Sequence, residues 1–178
     1  MKIKGNVVVL TNGKLNTKSA KTAHGLIRGS KRFNVVAVID NSFTNKFVHI
    51  DKNGKIDLLD KKSDIPIFND MTSFLESSVN VDFCIIGVAS AGGLLPDEMR
   101  EDVILSLKSN ISIINGLHSI LNEDEELIKV SRENNTKIYD IRASRPRNEL
   151  SFWSGKIHEV NVPKIVVLGT DCGLGKRT

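Results

Sequence analysis

The sequence predicts an α/β fold: a doubly wound, mainly parallel sheet, followed by a hairpin and the first strand and loop of a further element. Three observations predict it. Short apolar runs rich in β-branched residues recur at 6–10, 35–39, 65–68, 81–88, 111–114 and 137–141. Amphipathic stretches with helical spacing fall between most of them. The connections are short, a pattern that buries parallel strands beneath helices on both faces.

The elements follow in order. The first strand, 6–10, ends in the turn residues Thr11-Asn12-Gly13. A helix is expected over 19–28, with Ala20, Ala23, Leu26 and Ile27 on one side. The strand 35–39 closes at Asp40, and the runs 47–50 and 55–59 flank Asn53-Gly54, a two-residue hairpin signal. After the short strand 65–68, Asp70 is placed to cap a helix running to about residue 78.

The run 81–88 is the most hydrophobic, and the small residues 89–93 follow it. Pro96-Asp97-Glu98 opens the next helix, with proline in the first turn and acids at the positive end of the dipole. Met99, Val103, Ile104 and Leu107 form its expected buried stripe. The strand 111–114 ends at Asn115-Gly116, and Asn122 with Glu125 reads as a capping pair for a helix to about residue 134. The strand 137–141 completes the series. Phe152-Trp153 and 157–160 flank Ser154-Gly155, a second hairpin signal. Domain bounds are expected at 1–145, with a linker and hairpin over 146–162 and a new element over 163–178.

Composition narrows the function classes. The 178 residues suit one domain with a real core, and the 40% hydrophobic share is ordinary for a globular protein. No apolar run is long enough to span a membrane, and residues 1–5 lead into a strand without signal-peptide anatomy. Cys84 and Cys172 make neither a disulfide framework nor a metal set, so a reducing cytoplasm is expected. The net charge of +4 is scattered, which reads first as a solvated surface and next as a site for a small anionic ligand. One Trp, one Tyr and no recognition motif argue against nucleic acid. A homo-oligomer is left open.

The most specific motif is the last. The apolar run 164–168 leads into Gly169-Thr170-Asp171-Cys172-Gly173-Leu174-Gly175-Lys176-Arg177-Thr178. Glycines there let backbone N–H groups approach an anion, and Lys176 is placed for β/γ phosphates. Gly169, Thr170, Asp171, Gly173, Gly175, Lys176 and Thr178 are therefore candidate nucleotide contacts. Arg177 stands where a metal-holding hydroxyl normally follows the lysine, and Thr178, one place late, is the candidate metal ligand. A phosphate loop needs a helix behind it, so the segment is expected to be the truncated start of a P-loop domain. Alone, this chain is expected to hydrolyse no ATP.

Ligands of doubly wound sheets bind beyond the carboxyl ends of the strands. Four loops there are small or polar: 11–13, 40–42, 89–93 and 115–118. Asn12, Gly13, Ala91, Gly92, Gly93, Asn115 and Gly116 are the candidate binding residues on them. Asp40 occupies the place of a ribose-binding carboxylate, but without a Gly-x-Gly-x-x-Gly fingerprint a turn or capping role fits it as well. His49 and His158 read as surface residues.

Four segments together resemble one family: 21–28 (Lys-Thr-Ala-His-Gly-Leu-Ile-Arg), 86–93 (Ile-Gly-Val-Ala-Ser-Ala-Gly-Gly), 114–118 (Ile-Asn-Gly-Leu-His), and Gly169-Thr170-Asp171-Cys172 with Gly175-Lys176. The family has an N-terminal Rossmann-like domain and a C-terminal P-loop NTPase-like domain. It was long a domain of unknown function and includes D-glutamate N-acetyltransferases. The N-terminal pattern is also similar to the CoA-binding domain of acyl-CoA ligases. The resemblance implies an acetyl-CoA-dependent N-acetyltransferase, with ATP and Mg²⁺ as further ligands of the longer protein. Acetyl transfer to an amine needs a base and oxyanion donors. His24 and His118 are the candidate bases, and the amides of 91–93 the candidate donors. Two alternatives stand beside this. One is an ATP-dependent ligase or kinase-like enzyme, since the terminal loop resembles that of dethiobiotin synthetase. The other is a non-catalytic nucleotide- or CoA-binding remnant.

Overall fold

The computed structural model describes residues 3–43, 46–51, 53–59, 65–144, 149–163 and 165. The chain divides into a compact unit, Met1–Ala143, and a smaller one, Ser144–Thr178.

The first unit is a Rossmann-like α/β sheet. Its strands are β1 (Gly5–Leu10), β2 (Phe33–Ile39), β3 (Phe47–Ile50), β4 (Ile56–Leu59), β5 (Ile65–Phe68), β6 (Phe83–Ile86), β7 (Ser112–Asn115) and β8 (Ile138–Asp140). They lie in the order β4-β3-β5-β2-β1-β6-β7-β8. From β5 to β8 every pairing is parallel. β3 and β4 form the antiparallel hairpin expected from Asn53-Gly54, and β3 pairs antiparallel with β5. β1 lies mid-sheet, and its Val7, Val8 and Val9 are wholly buried whichever face they point to. A buried side chain of this size stabilises the fold by about 1.5–3 kcal/mol, and both-face burial is why β1 reads as an unbroken apolar run.

The helices are α1 (Lys21–Arg28), α2 (Met71–Glu76), α3 (Asp97–Lys108) and α4 (Glu125–Glu133). The chain steps from β1 to β2 and on to β5 in one direction, and from β6 to β7 to β8 in the other. Right-handed crossovers therefore put α1 on one face and α3 and α4 on the opposite one, while the β3–β4 hairpin extends the sheet beyond β5. Ala20, Ala23 and Ile27 form the buried side of the α1 region, as their spacing predicts. On α3, Met99, Val103 and Leu107 are buried, while Ile104 is only half-buried. Asp102 and Ser106 are buried instead. Asp102 Oδ1 accepts the Met71 amide at 2.9 Å, so α3 helps to cap α2. Burial raises the Asp102 carboxyl above its ordinary value. Asp70 caps α2 as expected, in a reciprocal box with Ser73.

Two sequence expectations are corrected. Asn122 does not cap α4; Asp124 does, accepting Leu127 N–H at 3.1 Å. Asp124 is fixed there by Arg100 of α3, whose guanidinium donates to both of its oxygens. Asn122 is committed to β8, its amide donating to Ile138 O at 2.9 Å and Asp140 Oδ2 at 2.7 Å. The second correction is the hairpin over 152–160. Among the described residues of the second unit there is no strand; a 3₁₀ turn stands at Lys156–Glu159 after left-handed Gly155. Phe152 and Ile157 are exposed, and two strands without an apolar face to pack on are marginal. Trp153 meets the His158 ring edge-on instead.

Among the described residues no helix is long and apolar enough to cross a membrane, and no group of three or more His, Cys, Asp or Glu could hold a metal ion.

Candidate functional site at the carboxyl edge

The loops beyond the parallel strands gather around two strand-end aspartates. Asp40 follows β2 and is wholly buried. Its Oδ2 accepts Thr11 Oγ1–H at 2.7 Å and Leu15 N–H at 2.9 Å, and its Oδ1 accepts Ser42 N–H at 3.0 Å. It closes the 11–15 loop onto the 40–42 loop and faces inward, not toward a ribose. Asn12 and Gly13, both at positive φ, belong to the same closure. Asn12 Oδ1 accepts Asn41 Nδ2–H at 3.1 Å, and a Cβ on Gly13 would stand 2.9 Å from Asn41 Oδ1.

The phosphate position usual in this architecture, at the start of α1, is plugged by the chain itself. Gly87, just after β6, accepts Ala23 N–H at 2.9 Å, and Ala89 N–H donates to Ser19 O at 2.8 Å. Gly87 is buried, and a Cβ there would lie 3.0 Å from both Ala23 Cβ and Leu10 O. An anion at that helix end would have to displace β6's continuation. The missing glycine fingerprint and the plug agree.

The second aspartate, Asp140 at the end of β8, had no place among the sequence candidates. Its Oδ1 accepts Asn115 Nδ2–H at 2.7 Å and Leu121 N–H at 3.0 Å, and its Oδ2 accepts Asn122 N–H at 2.9 Å. Asn115 is wholly buried, its Oδ1 accepting Leu117 N–H and its Nδ2 also donating to Ser119 O. The candidate Asn115 thus shapes the 115–122 loop from within. The signal for Asp140 was a strand-end carboxylate in the same place as Asp40.

That loop is laid against the glycines after β6. His118 N–H and Ser119 N–H both donate to Gly93 O at 2.9 Å. The His118 ring covers Gly93 so closely that a Cβ there would stand 2.5 Å from its Cδ2. The amide of Gly93 is spent on Ser90 O at 3.1 Å, leaving those of Ala91 and Gly92 as the remaining candidate donors. His118 Nε2 lies 3.0 Å from Arg142 Nη1. A guanidinium has only donors, so Nε2 accepts and the ring proton is on Nδ1. His118 and Arg142 are exposed, rimmed by Leu94 at 64% and Ile141 at 66% exposure. Gly116 lies beside Ile141. The hydroxyl of Ser119, next in the chain after His118, is buried with no hydrogen-bond partner among the described residues.

His24 is elsewhere. It lies on α1, and its Nε2 is 2.6 Å from Leu15 O. A carbonyl only accepts, so Nε2 carries the proton and Nδ1 is the acceptor. No hydrogen bond joins the two histidines, and neither cavity lined by His24 includes His118. Cys84 is buried in β6, its thiol pushed up to about 12 by burial, which leaves it protonated and unreactive. Gly169, Thr170, Asp171, Gly173, Gly175, Lys176 and Thr178 lie outside the described residues.

Residues 51–144 match the Rossmann-like domain of unknown function DUF1611_N. The chain belongs to this family. Over 92 residues it is 29% identical to a D-glutamate N-acetyltransferase of a Pseudoalteromonas species, and 26% identical to one of Tritonibacter scottomollicae. The matched stretch is 52% of this chain and 26% of each of those relatives. A solved DUF1611 family protein from Anabaena variabilis superposes with a TM-score of 0.67 at 25% identity, over 88% of this chain and 42% of that one. The matched stretches therefore cover less than half the length of each of these relatives.

Proposed function

We propose that this chain is the Rossmann-like part of an acetyl-CoA-dependent N-acetyltransferase acting on an acidic amino acid of the D-glutamate kind, with the reaction seated on the loops after β6, β7 and β8. The observation that carries the reading is the His118–Arg142 pair on a loop locked to Gly93. It puts a neutral imidazole beside a fixed cation at the edge where sheets of this type bind ligands.

The chemistry required is modest. The acceptor's ammonium gives up one proton, the free amine attacks the thioester carbonyl carbon, the C–S bond breaks, and CoA leaves as the thiol on taking up the second proton of the amine. Arg142 suits the acceptor's carboxylate, which would compete with His118 Nε2 for the guanidinium. Once released, Nε2 can take the ammonium proton. The amides of Ala91 and Gly92 suit the oxygen of the acyl carbonyl as it gains charge. Acetyl-CoA would supply the activated acyl group. The edge fits its acyl end on two counts: Leu94 and Ile141 form an exposed apolar rim, and the Ser119 hydroxyl is an orphan that a ligand's polar group would satisfy. The two relatives named for this activity support the reading through this domain alone.

Thermal shift of the chain with acetyl-CoA, CoA, ATP and D-glutamate tests it. Stabilisation by acetyl-CoA or D-glutamate is expected. A shift with ATP alone would favour phosphoryl chemistry, and no shift with any would favour a non-catalytic module.

A further inference from the structure

Both members of the His118–Arg142 pair are bracketed by the same two residues. Asn115 at the end of β7 and Asp140 at the end of β8 are partners in the parallel register, and Asn115 Nδ2 donates to Asp140 Oδ1 at 2.7 Å. Bonds from this link reach the chain neighbours of each member. Leu117, before His118, donates its N–H to Asn115 Oδ1 at 2.9 Å. Ser119, after it, accepts Asn115 Nδ2–H at its carbonyl at 2.7 Å. Ile141, before Arg142, donates its N–H to Asn115 O at 3.0 Å, and Ala143, after it, donates to Asp140 O at 3.2 Å. The Asn115 side chain thus brackets His118, and two strand-end carbonyls bracket Arg142.

The pair needs such a bracket. His118 and Arg142 are both exposed. An ordered, exposed arginine gives up as much rotamer freedom as one hydrogen bond returns in water. The contact between Arg142 Nη1 and His118 Nε2 therefore persists only where both backbones are already fixed at the right separation. No ion pair among the described residues joins Arg142 to a carboxylate, so its charge is left for a ligand. Loss of the contact would also free the ring. Which imidazole nitrogen carries the proton is set by the bond the other makes, and without the guanidinium nothing keeps Nε2 bare.

Neither bracket residue is free to react. Asp140 accepts from Asn115 Nδ2, from Leu121 N–H, and from the N–H and Nδ2 of Asn122, which fills the acceptor positions of a carboxylate. Asn115 is wholly buried, and both Nδ2 protons are spent, on Ser119 O and Asp140 Oδ1. Only a side-chain amide accepts one N–H while donating to a carbonyl and a carboxylate, which is why asparagine stands here. We propose that Asn115 and Asp140 are positioning residues for acyl transfer. Through the backbone on either side of His118 and Arg142 they hold the guanidinium against Nε2, and so keep the tautomer whose Nε2 can take the acceptor's proton. The inference rests on the acyl-transfer reading for the use of that tautomer; the bracket itself stands without it.

Long-range proton–nitrogen correlation NMR of the imidazoles tests it, on the ligand-free whole chain at a mildly alkaline pH where imidazoles are neutral. The native chain should show His118 with Nδ1 protonated and Nε2 bare. Arg142→Gln removes the partner and should show the Nε2–H form that a free imidazole prefers. Asn115→Ala and the milder Asp140→Asn keep both members of the pair, yet should move the His118 signals most of the way to the Arg142→Gln pattern. Asp40→Asn, which weakens the other strand-end aspartate, should leave them at the native position. Circular dichroism checks folding, and if Asn115→Ala does not fold, Asp140→Asn decides. Folded bracket variants with the native tautomer, an equal shift in Asp40→Asn, or a native chain already in the Nε2–H form would each overturn the proposal. D-glutamate added to the native chain separates the two readings. A tautomer that follows the bracket, with no D-glutamate shift at His118, would leave the bracket and remove acyl transfer; a D-glutamate shift with the tautomer unmoved in the bracket variants would do the reverse.

Discussion

His118 rests on Gly93: its N–H donates to the Gly93 carbonyl at 2.9 Å, and its ring occupies the space a Gly93 side chain would need. Two loops separated in sequence are thereby held as one surface. Gly93 is at φ +69°, so both the backbone conformation and the contact require glycine.

Substitution at the two adjacent glycines should therefore differ. Gly93→Ala meets left-handed strain and the His118 ring and backbone-proximal atoms, and should cost about 2–4 kcal/mol. Gly92→Ala meets only strain, since its nearest neighbour is Leu94 Cγ at 3.8 Å, and should cost about 1 kcal/mol. Urea denaturation of both variants checks this; equal losses would contradict the His118 contact.

Gly87 permits α1 to dock on β6. Gly87→Ala forces a methyl first against Val9 Cγ1 of β1 and then against Ala23 Cβ and Leu10 O, both 3.0 Å from its place, and should destabilise by about 1–3 kcal/mol. Thermal denaturation gives the sign. An unchanged midpoint would contradict the close packing of Gly87 against β1 and α1.

Asp140 knits the 115–122 loop to β8 through Asn115, Leu121 and Asn122. Asp140→Ala leaves those donors without an acceptor, and should cost about 2–4 kcal/mol. Hydrogen exchange should then speed up at Leu121 and Asn122 and hardly change at Leu15, which depends on Asp40. Equal exchange at both places would contradict two separate aspartate hubs.

The acid limb of stability carries opposed contributions. Asp70 and Asp124 have carboxyls lowered in the fold, by the Ser73 amide and by the Arg100 guanidinium respectively. Their stabilisation is present above the ordinary carboxylate value and is lost as pH falls through the folded one. Asp102 is raised by burial, so in its window the folded state holds the extra proton and stability rises as pH falls toward the ordinary value. Asp102→Asn keeps an acceptor for Met71 N–H and removes the charge. It should be neutral or stabilising at pH 7, with the advantage shrinking toward pH 4 (about 0–1 kcal/mol). Denaturation at both pH values checks the sign; a variant weaker at pH 7 than at pH 4 would contradict it.

Local grammar was legible where the deciding contacts are near in sequence. Asn53-Gly54 between two apolar runs suffices for the β3–β4 hairpin, and Asp70 with Ser73 suffices for the α2 cap. The cap of α4 misled because Asn122 is drawn away by Asp140, a partner 18 residues on that only the sheet brings close. The apolar residues of 152–160 carry hairpin chemistry, but burial, not turn type, decides whether strands form. At the site, the loops after β6 and β7 were legible from glycines at strand ends. Arg142 as the partner of His118 was not, because their meeting depends on β7 and β8 lying side by side.

The central claim is that donor and acceptor meet on the loops after β6, β7 and β8. Amide chemical-shift mapping of the chain with acetyl-CoA and D-glutamate tests it most directly. The expected result is saturable shifts at Ala91, Gly92, Gly116 and His118 with D-glutamate, reduced in Arg142→Gln. Shifts confined to other parts of the sheet, or the same pattern with ATP and none with D-glutamate, would contradict the proposal.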